Sequence, residues 1–149
     1  MKKKMIISCI GIILIFAAFN VFWYFTTHNL YSKYAEGMEK METFTYCKYD
    51  EDHFGYAVSF PSYLRFNTGC LSVTESESNS TLIIWPQYNQ NPFEFGLILN
   101  YKEEGYHINV TDKGKAINPH EQEIIDSNQE IVNQLYEKAK QQWGKYLWK

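Results

Sequence analysis

The chain has 149 residues, 45% hydrophobic and 17% aromatic, with a formal net charge of −3. With 12 tyrosines and 10 phenylalanines it can bury enough apolar surface to offset its ordering entropy, which excludes a disordered tail. The charge is uneven: Lys2, Lys3 and Lys4 precede Met5, whereas the residues after Phe25 carry 11 basic against 17 acidic groups, a net −6. A domain of that sign offers no clustered positive footprint for nucleic acid.

Residues 5–25 hold no charged side chain, and only Ser8, Cys9, Gly11 and Asn20 interrupt the apolar run. As a helix, 21 residues reach about 31 Å, the thickness of a bilayer's hydrocarbon core, so the expected partner of this stretch is the lipid bilayer. Three lysines on its N-terminal side orient it with the N-terminus cytoplasmic and the remainder outside the cell membrane. The run is longer than a signal-peptide core, and Phe16-Ala17-Ala18 is a poor cleavage site, which favours a retained, single-pass signal anchor. Lipidation at Cys9 is disfavoured because almost no apolar segment precedes it. Trp23 and Tyr24 fall where an aromatic belt would meet the outer headgroups. With no Asp, Glu, Lys, Arg or His inside it, the span reads as an anchor rather than an ion or proton path.

Leu30, Tyr34, Met38 and Met41 recur at helical spacing, which predicts a juxtamembrane helical stalk over residues 26–45 and offers a short stripe for self-association. After Cys47 the pattern alternates, predicting strands at residues 56–60, 70–74, 81–85, 93–100 and 106–111. The last two form a hairpin in which Gly105 is expected to supply a positive φ, and residues 75–80 read as a flexible loop. Asn118-Pro119 marks the start of one long helix, with Ile124, Ile131, Leu135, Ala139 and Trp143 on the stripe that should cover the sheet.

The expected architecture is α+β: a cytoplasmic basic N-terminus (1–4), a transmembrane anchor (5–25), the stalk (26–45), and a small extracytoplasmic domain (46–149). That domain is an antiparallel sheet of about five strands covered by a long C-terminal helix. Cys47 and Cys70, the cysteines beyond the anchor, read first as a disulfide in an oxidising compartment. Asp50-Glu51-Asp52-His53 concentrates carboxylates and an imidazole, but its spacing matches neither a calcium loop nor a zinc site. His28, His53, His107 and His120 are scattered, and no catalytic, phosphate-binding or cofactor motif is present, so no catalytic, metal or cofactor residue is assigned. The aromatic tail Trp143, Tyr146, Leu147 and Trp148 is the expected surface for a protein partner. The sequence therefore points to a membrane-anchored, non-enzymatic binding or interaction module of the cell envelope. The alternative is a membrane-tethered hydrolase acting on cell-wall or extracellular substrate.

Overall fold

The computed structural model describes residues 2–66, 68–86, 93–102 and 104–148, with side chains from Ile7 onward. Helix α1 (Lys2–Tyr31) is followed by strands β1 (Glu39–Glu42), β2 (Thr45–Tyr49), β3 (Phe54–Ser59), β4 (Cys70–Glu75), β5 (Ser80–Pro86), β6 (Phe93–Tyr101) and β7 (Glu104–Val110). A 3-10 turn (Pro119–Glu121) then leads into α2 (Gln122–Ser127) and α3 (Gln129–Leu147). The seven strands pair in chain order as one antiparallel meander. The chain is thus α+β, with an apolar N-terminal helix, an open sheet and C-terminal helices.

The sheet has seven strands where about five were expected. The additional two, β1 and β2, lie in or beside the predicted stalk, which is helical only over its first residues: α1 continues to Tyr31, turns follow, and Gly37 takes φ +76°. The helical spacing there reflects burial of Tyr34 and partial burial of Met38, while Met41 is exposed on the edge strand. Ladder pairing with β2 and then β3 outweighs a modest helix propensity. The edge itself is short and charged, Glu39 to Glu42 with a register shift, which discourages further strand addition.

The β6–β7 hairpin forms as expected, pairing Phe95 with Val110, Leu97 with Ile108 and Leu99 with Tyr106. Its left-handed residue is Lys102 (φ +51°), however, and Gly105 sits in the ladder opposite Asn100. Residues 75–80 are strand ends joined by a bonded turn: the Glu75 carboxylate accepts from the Glu77 and Ser78 amides at 2.8 and 2.7 Å. The Ser78 side chain, together with those amide bonds, holds the Glu75 carboxyl below the usual carboxylate range.

Asn118 caps the 3-10 turn, its side chain accepting from the His120 amide. The single long helix is interrupted at Asn128, where Ser127 and Asn128 side chains bond the carbonyls of Glu123 and Ile124 and compete with the helical ladder. Beyond the break α3 lays Val132, Leu135, Tyr136, Ala139, Trp143 and Leu147 into the core, against Val58, Leu71, Val73, Leu82, Ile84 and Leu97. The opposite sheet face is half-exposed and carries small residues at its centre, Gly55, Ala57, Ser59, Cys70 and Ser72 among them.

One ion-pair network fastens α3 to the β2–β3 turn. Lys138 Nζ donates to Asp50 Oδ2 at 2.8 Å and Asp52 Oδ2 at 2.6 Å, while Tyr56 Oη donates to Asp50 at 2.8 Å. Burial alone would raise the Asp50 pKa, but the bonds from Lys138, the Phe54 amide and Tyr56 outweigh it and hold the carboxyl at about 2. A depressed carboxyl pKa stabilises the fold above the ordinary carboxylate range and loses that contribution as pH falls towards 2. Denaturant unfolding of the full chain in micelles should therefore lose about 2 kcal/mol from this group between about pH 5 and pH 2, and Asp50→Asn should flatten that part of the pH profile.

Candidate functional site

Residues that look unrelated in sequence meet where α1 enters the domain. Asn20, Trp23, Thr27 and Tyr31 follow one another at intervals of three, four and four, so they share one face of α1. That face is the buried one: Trp23, Thr27 and Tyr31 are 6, 3 and 0% exposed. The remaining apolar side chains of residues 7–25 stand out from the molecule, from 42% exposed at Phe19 to 73% at Ile15.

The segment between β3 and β4 closes over this face. Trp23 Nε1 donates to the Arg65 carbonyl at 3.1 Å, and the Trp23 ring meets Tyr63 edge-on at 5.3 Å. Phe66 packs against Phe19 and Phe22, with ring centroids 6.2 Å apart in both pairs. Asn20 Nδ2 donates to the Phe16 carbonyl, and its Oδ1 accepts from Tyr63 Oη. Gly69 is needed because a Cβ there would lie 2.5 Å from Tyr31 Cζ. One turn further, Tyr34 meets Trp143, whose Nε1 donates to the Tyr34 carbonyl at 3.0 Å. The helix is thus continuous with the core rather than tethered to it.

The sequence signal for this junction was the spacing of Asn20, Trp23, Thr27 and Tyr31, which crosses the expected boundary between anchor and stalk. Trp23, expected in an aromatic belt, is instead buried against the Arg65 backbone, while Tyr24 remains exposed and stacks on His28 at 5.3 Å.

The expected partner surface at the C-terminus is largely internal. Trp143 and Leu147 are 1 and 7% exposed, and Tyr146 and Trp148 are half-buried. Trp148 packs on Phe95 and Tyr136 beside an open cleft of about 820 Å³ lined also by Phe93, Val110 and Ile117. Trp143 packs on Tyr56 and Tyr146 on Tyr34, while Trp148 packs on Phe95, so most of the tail's apolar surface is used in packing.

Nor is the expected disulfide formed: Cys47 and Cys70 are both free. Cys47 pairs with Ala57 and Cys70 with Ser59, which places β3 between them. Two strand spacings and a two-residue offset separate their Cα atoms by about 12 Å, beyond the roughly 7 Å a disulfide spans. Burial pushes both thiols up in pKa, which makes them poor nucleophiles.

A second, polar cleft of about 480 Å³ gathers Asp52, His53, Glu75, Glu77 and Glu130 between the hairpin turns and α3. Asp52 is engaged by Lys138 and Glu75 by turn amides, so two of its carboxylates serve structure. Among the described residues no group of three or more His, Cys, Asp or Glu side chains is arranged to hold a metal ion. On the uncovered sheet face Trp85 lies over Gly96 with His107 at 6.1 Å, and Tyr49 lies over Gly55. In both cases the aromatic ring shields a strand glycine.

No protein-family model, curated protein or solved structure matches this chain. Its class rests on its own architecture, an α+β sheet domain continuous with one long apolar helix.

Two outcomes follow from this geometry. Thiol titration of the denatured, unreduced chain should count three thiols, and a count of one would restore the Cys47–Cys70 bridge. Gly69→Ala should destabilise the domain by about 1–3 kcal/mol in thermal melting, because the fully buried Tyr31 ring has no space to yield.

Proposed function

We propose that the protein is a single-pass membrane protein of the cell envelope, with its N-terminus cytoplasmic and its sheet domain outside, acting as a non-enzymatic binding or interaction module. The observation that carries this reading is the surface of α1. Within the 25 residues from Ile7 to Tyr31 an 18-residue stretch reaches a mean hydropathy of 2.1, and apart from Trp23 the large apolar side chains up to Phe25 are left exposed by the protein. In water such a surface far exceeds the apolar patches that soluble monomers expose, whereas hydrocarbon covers it without penalty. Lys2, Lys3 and Lys4 on the N-terminal side of the apolar run and the acidic domain on the other support the orientation.

The choice of module over tethered hydrolase rests on how the polar groups are used. The polar cleft is where a hydrolase would act, and its Asp52 and Glu75 carboxylates already serve Lys138 and a backbone turn. The last turn of α1 places Tyr31 in the core, so the module follows the anchor without a long linker.

Membrane fractions of cells expressing the chain should retain it through alkaline carbonate extraction. Protease added to intact spheroplasts should remove the sheet domain and leave a fragment containing α1. Release by carbonate would overturn the span, and protection from protease would overturn the orientation.

A further inference from the structure

Resting on the span proposed above, we infer that the segment that follows β3, residues 60–66, is a second membrane contact. It is a wedge seated in the outer headgroup layer beside α1, with Arg65 directed to lipid phosphate as its chemical partner. The first support is depth. The loop touches α1 at Phe19, Asn20, Phe22 and Trp23, whereas the apolar run continues to Phe25. At about 1.5 Å per residue those contacts lie roughly 3–9 Å inside the outer end of the run, the depth at which interfacial segments sit.

The second support is polar bookkeeping along α1. Asn20 lies within the apolar run, where an unsatisfied amide is costly in hydrocarbon, and Tyr63 bonds its Oδ1. Trp23 likewise gives its indole N–H to the Arg65 carbonyl. Groups open to water would not need these partners.

The third support is the loop's tip. A tight turn is closed by the Arg65 amide on the Ser62 carbonyl at 2.9 Å, and within it Leu64 has φ +59°. Glycine or asparagine is the ordinary occupant of such a position, and a leucine there carries backbone strain. An apolar side chain at a strained tip is explained by apolar surroundings, which the protein itself supplies only in part, since Leu64 is half-buried and Tyr63 is 54% exposed. Beside it Arg65, the one arginine of the chain, is exposed, and a guanidinium suits bidentate contact with phosphate.

Depth-dependent fluorescence quenching tests this on the full chain in vesicles of phosphatidylcholine with a minority of phosphatidylglycerol. Quenching lipids carry bromine near the headgroup end of their chains. Single labels are placed by Phe16→Cys, Ser62→Cys or Glu77→Cys after Cys9, Cys47 and Cys70 are replaced by serine. Labels at 16 and 62 should both lose emission, and the label at 77 should lose none. Quenching at 16 with none at 62 would overturn the wedge and leave the span intact; no quenching at 16 would overturn the span and the wedge with it. Leu64→Gly should reduce quenching at 62 while the melting temperature holds or rises, and Arg65→Glu should reduce it further. Unchanged quenching in both variants would overturn the assignment of the tip as the inserting element.

Discussion

The burial of Tyr31 and Tyr34 is the constraint from which the rest of the structure follows. Both lie where the apolar helix runs out, and both are buried in the core that holds Trp143 and Phe54. Trp143 donates to the Tyr34 carbonyl and meets Tyr56 edge-on, so the turn that follows α1, the last helix and the sheet are joined at one point. Were Tyr34 part of a mobile stalk, its carbonyl would be hydrated, while the Trp143 indole N–H would be left without a partner in the core, a cost of about 1–3 kcal/mol.

This junction also explains how the two ends of the sheet are used. At one end the chain leaves α1 through turns and enters the sheet as a short charged edge strand, so β1 and β2 extend the sheet where a stalk helix would have stood alone. At the other end the C-terminal aromatics fill the space beneath β6 and β7. Lys138, bound by Asp50 and Asp52, fixes α3 in register across the β2–β3 turn between these ends. What remains uncovered is one face of the sheet and the apolar surface of α1, surfaces of opposite character suited to different surroundings. At the centre of the sheet face stand glycine, alanine and serine, and the Trp85 and Tyr49 rings approach two of its glycines closely.

Local pattern was enough to locate the apolar helix, five of the strands, the 93–110 hairpin and the Asn118 cap, because each depends on periodicity or capping over a few residues. It failed where an element's state depends on a distant neighbour. Glu39–Glu42 is a strand because β2 pairs with it, and the break at Asn128 lets two amphipathic segments follow a twisted sheet. The cysteine pair was misread for the same reason: an even count cannot reveal that β3 runs between the two thiols.

The sequence alone therefore determined the class of the protein, an apolar helix of membrane-spanning length followed by an acidic, aromatic-rich α+β domain, since length, charge and alternation are properties of the chain itself. Only the tertiary structure decided which aromatics are spent. Trp143 and Leu147 went to the core and Trp23 to the loop, because burial depends on what stands opposite a side chain. The same holds for Asn20. In sequence it is an interruption of an apolar run, and in the fold it is one of the groups, with Trp23, that bond the β3–β4 segment to the helix.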